Sequence, residues 1–195
     1  MPLNICIFCS SSDVVEPAYF AAATELGARL GERRDTLIFG GTNVGLMGAL
    51  ARSMRQNGGR VIGVIPTFIA GRGLAFTPAD ELILTRDMRE RKALMEARAD
   101  AFIALPGGFG TLEEMLEIIT LKMLQQHVKP VLFLNTGGFY NPLIALFEHM
   151  REHRFAKTYP DSLYYFATDL ADAFNYLDHY EPPKIEAKWF RTAEP

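Results

Sequence analysis

The sequence predicts an α/β fold: a Rossmann-like, doubly wound, mostly parallel sheet of about seven strands with helices on both faces. Three observations carry that expectation. Short runs rich in Val, Ile, Leu and Phe recur, each bounded by Gly, Pro, Ser or Asp. The runs are apolar on consecutive residues, as strands covered on both faces require. Between most of them lie segments of helical periodicity, so strand and helix alternate.

The first run, Leu3–Cys9, stops at Ser10, and a helical pattern follows over Pro17–Arg33. Thr36–Phe39 stops at Gly40-Gly41 and leads into a helix over Val44–Asn57. Arg60–Pro66 leads into Thr67–Asp80, an ordered loop or flap carrying Gly71, Gly73 and Pro78. Glu81–Leu84 precedes a helix over Arg86–Arg98, and Asp100–Leu105 stops at Pro106-Gly107 before a helix over Thr111–Gln126. Pro130–Leu134 precedes a helix over Asn141–Glu152, and Leu163–Ala167 one over Asp169–His179. Neither repeat nor linker interrupts the series, so residues 1–180 read as a single nucleotide-binding domain. Residues 181–195, with Pro182, Pro183, Trp189 and Phe190, read as a loosely packed or frayed tail.

At 195 residues the chain is one domain long. Its net charge of −3 and pI near 5.8 argue against a broadly basic nucleic-acid-binding face. No apolar run reaches the roughly 18–20 residues that cross a bilayer. The opening MPLNICIFCSSSD lacks a basic segment before its apolar stretch, so it does not read as a secretory leader. Two cysteines make no disulfide framework, and a reduced, cytoplasmic setting is the expectation.

Such sheets bind ligands at the carboxyl ends of their strands. Three loops meet that rim: Ser10-Ser11-Ser12-Asp13, Gly40-Gly41-Thr42-Asn43-Val44-Gly45 and Pro106-Gly107-Gly108-Phe109-Gly110-Thr111. Small residues let backbone N–H groups approach a ligand, and a helix N-terminus behind each loop favours an anion. The combination reads as a phosphate site, with Ser11, Gly41 and Gly107 among its candidate contacts. Asp13 and the serines either bind ligand oxygens or cap the following helix. No Gly-Lys pair exists for a Walker A loop. The first strand is not followed by G-x-G-x-x-G, which disfavours NAD-dependent hydride chemistry.

Pro106–Glu114 reads PGGFGTLEE. Thr111 and Glu114 could form a capping box, and Glu113, Glu114 and Glu117 suit the positive end of a helix dipole. A plain helix start leaves the three glycines unexplained, whereas a phosphate resting on backbone N–H groups uses them. In the Arg86–Arg98 helix, Arg91 falls inside the apolar stripe of Met88, Leu94 and Met95. A buried arginine needs an anionic partner; the alternative is a side chain snorkelling at the stripe's edge.

Met88–Lys92 (Met-x-x-Arg-Lys) and PGGFGTLEE, with 23 residues from Arg91 to Glu114, together resemble the LONELY GUY family of cytokinin riboside 5′-monophosphate phosphoribohydrolases. Gly40–Gly48 (GGTNVGLMG) and Ile7–Ser12 (IFCSSS) are similar to further motifs of that family, and the resemblance spans roughly residues 4–180. It implies a Rossmann-like homodimeric hydrolase that releases a free base and ribose 5-phosphate from AMP or isopentenyl-AMP, without cofactor or metal. It implies Arg91 and Glu114 as the catalytic pair, and Lys92, Gly108, Phe109, Gly110, Thr111, Leu112, Glu113 and Thr120 as nucleotide contacts. The chain departs from the family at Ser10, usually glycine, and in Thr67–Thr85, which lacks a Gly-Glu-Thr flap. Both bear on which base is accepted.

The chemistry stands beside the resemblance. N-glycosidic cleavage passes through an oxocarbenium-like sugar that a carboxylate can stabilise while activating water. Glu114, one turn beyond the phosphate loop, is the candidate, with Arg91 holding it ionised or contacting the ligand. The Thr111–Gln126 helix is apolar nearly all round, which suggests a homodimer interface. Cys6 and Cys9 spell C-x-x-C, but within a strand they point to opposite faces. His149–His153 spells H-x-x-E-H without a third ligand nearby, and no lysine has a clear Schiff-base setting for pyridoxal phosphate. Two alternatives stay open: a nucleotide or molybdenum-cofactor carrier or sensor on this fold, and a broader nucleotide nucleosidase.

Overall fold

In the computed structural model, which describes residues 2–156 and 163–184, strands and helices alternate as the sequence predicts. The elements are β1 (Asn4–Phe8), α1 (Pro17–Glu32), β2 (Thr36–Phe39), α2 (Gly45–Gln56), β3 (Arg60–Pro66) and α3 (Thr67–Ile69), which runs into a π turn, Ala70–Leu74. They continue as β4 (Glu81–Thr85), α4 (Met88–Arg98), β5 (Ala101–Ala104), α5 (Phe109–Met123), β6 (Val131–Leu134), α6 (Asn141–Glu152), β7 (Tyr165–Ala167) and α7 (Leu170–Asp178). Trp189 and Phe190 of the expected tail lie outside the described residues.

The seven strands form one all-parallel sheet in the order β4-β3-β2-β1-β5-β6-β7. Alternate residues of each strand enter different cores, which is why the runs are apolar throughout. Ile5, Ile7, Leu37 and Phe39 pack with Leu26 of α1, Leu50 of α2 and Leu170 of α7. Cys6, Phe8, Ile38 and Phe102 pack with Met95 of α4, Met115 of α5 and Phe147 of α6. Cys6 and Cys9 thus enter opposite cores as free, buried thiols, and burial raises both above the ordinary thiol range.

From β1 the chain winds outward through β2, β3 and β4, then returns to β1's other side at β5. The connections leaving β1 and β5 therefore diverge, opening a crevice at their carboxyl ends, the usual ligand position in such sheets. Ser10 N–H bonds Pro106 carbonyl oxygen at 3.2 Å and ties the two departing loops together at its base.

Two helix starts differ from expectation. α4 begins at Met88 because Asp87 caps it, accepting from Arg89 N–H and Glu90 N–H at 2.9 Å each. α5 begins at Phe109, so Thr111 lies inside the helix and the capping box does not form. Its cap is Gly108, in extended backbone, and no side chain bonds the helix start.

Candidate active site

A cavity of about 620 Å³ opens over the carboxyl ends of the central strands. Its walls are Ser10–Ser12 after β1, Gly40, Thr42 and Val44 after β2, and Gly108–Thr111 at the start of α5. The flap after β3 adds Phe68, Ile69, Arg72 and Leu74, and Cys9, Met47, Met88, Arg91 and Glu114 complete the lining.

The helix N-termini on this rim are not equivalent. At α2, Asp13 accepts from Gly45 N–H at 2.8 Å and Ser10 carbonyl oxygen from Leu46 N–H at 3.0 Å. The first loop thus closes the second helix, and Asp13 is a cap for α2 rather than for the helix that follows it. This closure depends on Gly45, at φ +58°, where a Cβ would stand 2.4 Å from Ser11 backbone carbon. The start of α5 has no such occupant. The first N–H groups of a helix lack intrahelical acceptors, and with a glycine cap those of α5 face the cavity ready for an anion. Ser11, exposed and lining the cavity, makes no side-chain hydrogen bond among the described residues.

Arg91 and Glu114 meet beside that anion site. Both are buried, and Arg91 Nη1 donates to Glu114 Oε1 at 2.8 Å. Arg91 Nε donates to Val64 carbonyl oxygen at 3.1 Å, so the guanidinium is fixed from two sides. The arginine on the apolar stripe is therefore paired, not snorkelling. A Cβ at Gly40 would stand 2.2 Å from Arg91 Nη2: the second glycine loop makes room for this side chain. Burial raises the Glu114 carboxyl above the ordinary glutamate range, and Arg91 only partly counters it. A carboxylate reluctant to stay ionised, aimed into a cleft with an anion site, suits proton transfer or stabilisation of a nearby cation.

Of the candidate contacts read from sequence, Ser11, Gly108, Phe109, Gly110 and Thr111 line the cavity with the Arg91–Glu114 pair. Gly41 is buried behind it at φ +73°, where a Cβ would meet Ile65 Cβ at 2.9 Å. Gly107 admits Thr111, whose Oγ1 would lie 2.1 Å from a Cβ there. Leu112 is half-buried and lies outside the lining. Lys92 is held by Glu113 and, at 2.6 Å, by Glu117. Burial alone would lower its ammonium, but the two carboxylates more than offset that and raise it. Thr120 turns its hydroxyl back to Leu116 carbonyl oxygen at 2.7 Å. Glu113, Glu117 and Thr120 thus share the outward face of α5, away from the cavity. Phe68, Ile69, Arg72 and Leu74 of the flap are lining residues that sequence reasoning did not single out. The flap was legible from Gly71, Gly73 and Pro78, but nothing in its pattern showed which side chains face the cleft. His149 and His153 lie on the exposed end of α6 with ring centroids 4.3 Å apart, away from the cleft.

The chain resembles known proteins over most of its length. Residues 47–177 match the family described as possible lysine decarboxylase. The chain is 42% identical over 179 residues to cytokinin riboside 5′-monophosphate phosphoribohydrolase LOG7 of Arabidopsis thaliana, covering 92% of this chain and 82% of that protein. It is 40% identical to the probable enzyme LOGL5 of Oryza sativa subsp. japonica, covering 94% and 75%. Among solved structures, the molybdenum cofactor carrier protein of Chlamydomonas reinhardtii superposes with a TM-score of 0.71 at 21% identity, covering 91% of this chain and 97% of that one. The molybdenum cofactor binding protein of Rippkaea orientalis gives 0.68 at 21%, covering 91% and 96%. At that identity the structural likeness speaks for the fold alone. With both relatives at 40% identity or more over nine-tenths of its length, the chain belongs to the LOG family of cytokinin riboside 5′-monophosphate phosphoribohydrolases.

Proposed function

We propose that this chain hydrolyses the N-glycosidic bond of purine riboside 5′-monophosphates, AMP or its N6-modified cytokinin form, releasing the free base and ribose 5-phosphate. The observation that carries this reading is the buried Arg91–Glu114 pair beside a helix N-terminus left open for an anion. The 5′-phosphate rests on the N–H groups of Phe109–Thr111 with the Ser11 hydroxyl, which brings the ribose to Glu114. As the C1′–N9 bond breaks, its electron pair leaves with the base and positive charge grows on the sugar. The Glu114 carboxylate stabilises that charge and takes a proton from the attacking water, whose oxygen bonds C1′. Arg91 positions the carboxylate and keeps a fraction of it ionised despite burial. Carboxylate and water suffice for this chemistry, so no metal or cofactor enters it.

The protein works as a homodimer in this reading, in the cytoplasm. The outward face of α5 supports a second copy: Phe109 is 94% exposed, and Leu116 and Leu124 lie exposed further along the same helix. Residues 1–180 form the catalytic domain.

Incubating the protein with AMP and with isopentenyl-AMP, and following free base by chromatography, tests the activity. Wild-type protein should release base and Glu114→Gln should not. Equal, tight nucleotide binding by both proteins without release would replace the hydrolase with a carrier or sensor.

A further inference from the structure

The flap holds a cation that the mechanism above leaves unused. Arg72 lines the cavity, and its side chain makes no ion pair or hydrogen bond among the described residues. The other arginine in the lining, Arg91, is already paired with Glu114. Arg72 sits at the free end of the flap, between Gly71 and Gly73, and nothing lies within 4 Å of a Cβ built at either glycine. The chain beyond it is fastened: Asn43 N–H bonds Leu74 carbonyl oxygen at 2.8 Å, and Phe76 N–H bonds Gly41 carbonyl oxygen at 2.8 Å. The turn can therefore move while its base stays registered to the loop after β2.

Strand order decides which end of a nucleotide this turn meets. The phosphate site follows β5 and the flap follows β3, with β1 and β2 between them. Three strand spacings, roughly 14 Å, separate their roots. With the phosphate on α5 and the sugar at Glu114, the base extends toward the flap. There Phe68, Leu74 and Met88 offer apolar surface to its rings, and Arg72 offers donors to its nitrogens.

Resting on the hydrolase reading, we propose that Arg72 supports the departing base by donating hydrogen bonds to a purine ring nitrogen as the C1′–N9 electron pair moves onto the ring. The guanidinium keeps its own protons, since arginine does not deprotonate in proteins. It stabilises the developing anion, and solvent supplies the proton that the released base finally carries. Glu114 acts on the sugar side of the breaking bond and Arg72 on the base side, which makes the flap a catalytic as well as a covering element.

The test compares two leaving groups in the full-length protein. AMP needs help with its poor leaving group; p-nitrophenyl ribofuranoside 5-phosphate expels a stable phenolate and needs none. Arg72→Gln should lower kcat for AMP by about 10²-fold, the usual range for removing one donor aimed at developing negative charge, and leave the nitrophenyl substrate within a few-fold. Arg72→Lys should recover part of the loss, and inhibition by ribose 5-phosphate should be unchanged in both variants. Equal losses on both substrates, with weaker ribose 5-phosphate inhibition, would overturn the proposal and place Arg72 on the phosphate. Unchanged AMP turnover in Arg72→Gln would overturn it too. Wild-type protein that releases no base from AMP would instead sink the hydrolase reading itself, and this proposal with it.

Discussion

Glu114 sits where its charge is least comfortable, and that has consequences on both sides of folding. The folded chain holds this proton more tightly than the unfolded chain does. The carboxyl's contribution to stability is therefore full below the ordinary glutamate range and is lost as pH rises through the raised value. The proposed mechanism needs the ionised form, so the acid limb of kcat/KM should lie above the ordinary glutamate range. Arg91→Gln removes the opposing cation and should move that limb higher still, while costing about 3–5 kcal/mol by stranding a buried charge. A pH–rate profile and a thermal melt read the two effects separately. Gly40→Ala tests the same pair from outside it: a Cβ 2.2 Å from Arg91 Nη2 must push the guanidinium off its acceptors. We expect kcat to fall on the order of 10²-fold, as misplacement of about 1 Å can produce, with far-UV circular dichroism unchanged. Arg91 was legible in the sequence because an arginine on an apolar stripe demands an anion, and Glu114 because it lies one turn beyond the glycine loop; the resemblance paired them. Arg72 was not, because an arginine on a glycine-rich loop looks like any solvated one until the strand order places it.

Among the elements, α5 shows how far periodicity goes. Its run of Leu, Ile and Met reads as apolar nearly all round, yet Leu116 and Leu124 are exposed while a lysine is fully buried. Among the described residues Lys122 Nζ has no hydrogen-bond partner, and it lies 5.1 Å from the centroid of the Tyr180 ring. Burial lowers it to about 8. Below that value the ammonium is charged in both states and the folded state carries its desolvation; as pH rises from about 8 toward the ordinary lysine range, stability recovers. Lys122→Met should therefore raise Tm at pH 7, by roughly 2–4 °C for each kcal/mol relieved, and gain less at pH 10. An equal gain at both values would show that packing, not charge, sets the effect. The strands were the most legible elements, since consecutive apolar residues admit little besides a doubly covered sheet. The start of α5 was misread because Thr111 and Glu114 fit a capping box locally, while in the fold Glu114 is drawn inward by Arg91.

At the scale of the whole molecule, the outward face of α5 predicts assembly. Leu116→Glu should shift the protein from dimer to monomer in sedimentation velocity; a monomeric wild type would sink that expectation. The sheet order also divides labour along the rim. In the proposed reaction phosphate and sugar fall to loops bolted into the central strands, while the base meets a turn that contributes no buried side chain between Ala70 and Leu74. Beyond that turn Phe76, 1% exposed, stands edge-on to Phe39 with ring centroids 5.9 Å apart and anchors the segment in the core. A stretch held at its root and free at its tip can change length for little more than loop-closure entropy, about 0.6 kcal/mol per doubling. This turn is thus a graft point: exchanging Ala70–Gly73 for a longer or shorter segment that keeps an arginine at its tip would retune which bases the scaffold accepts, and the packed core would not register the exchange.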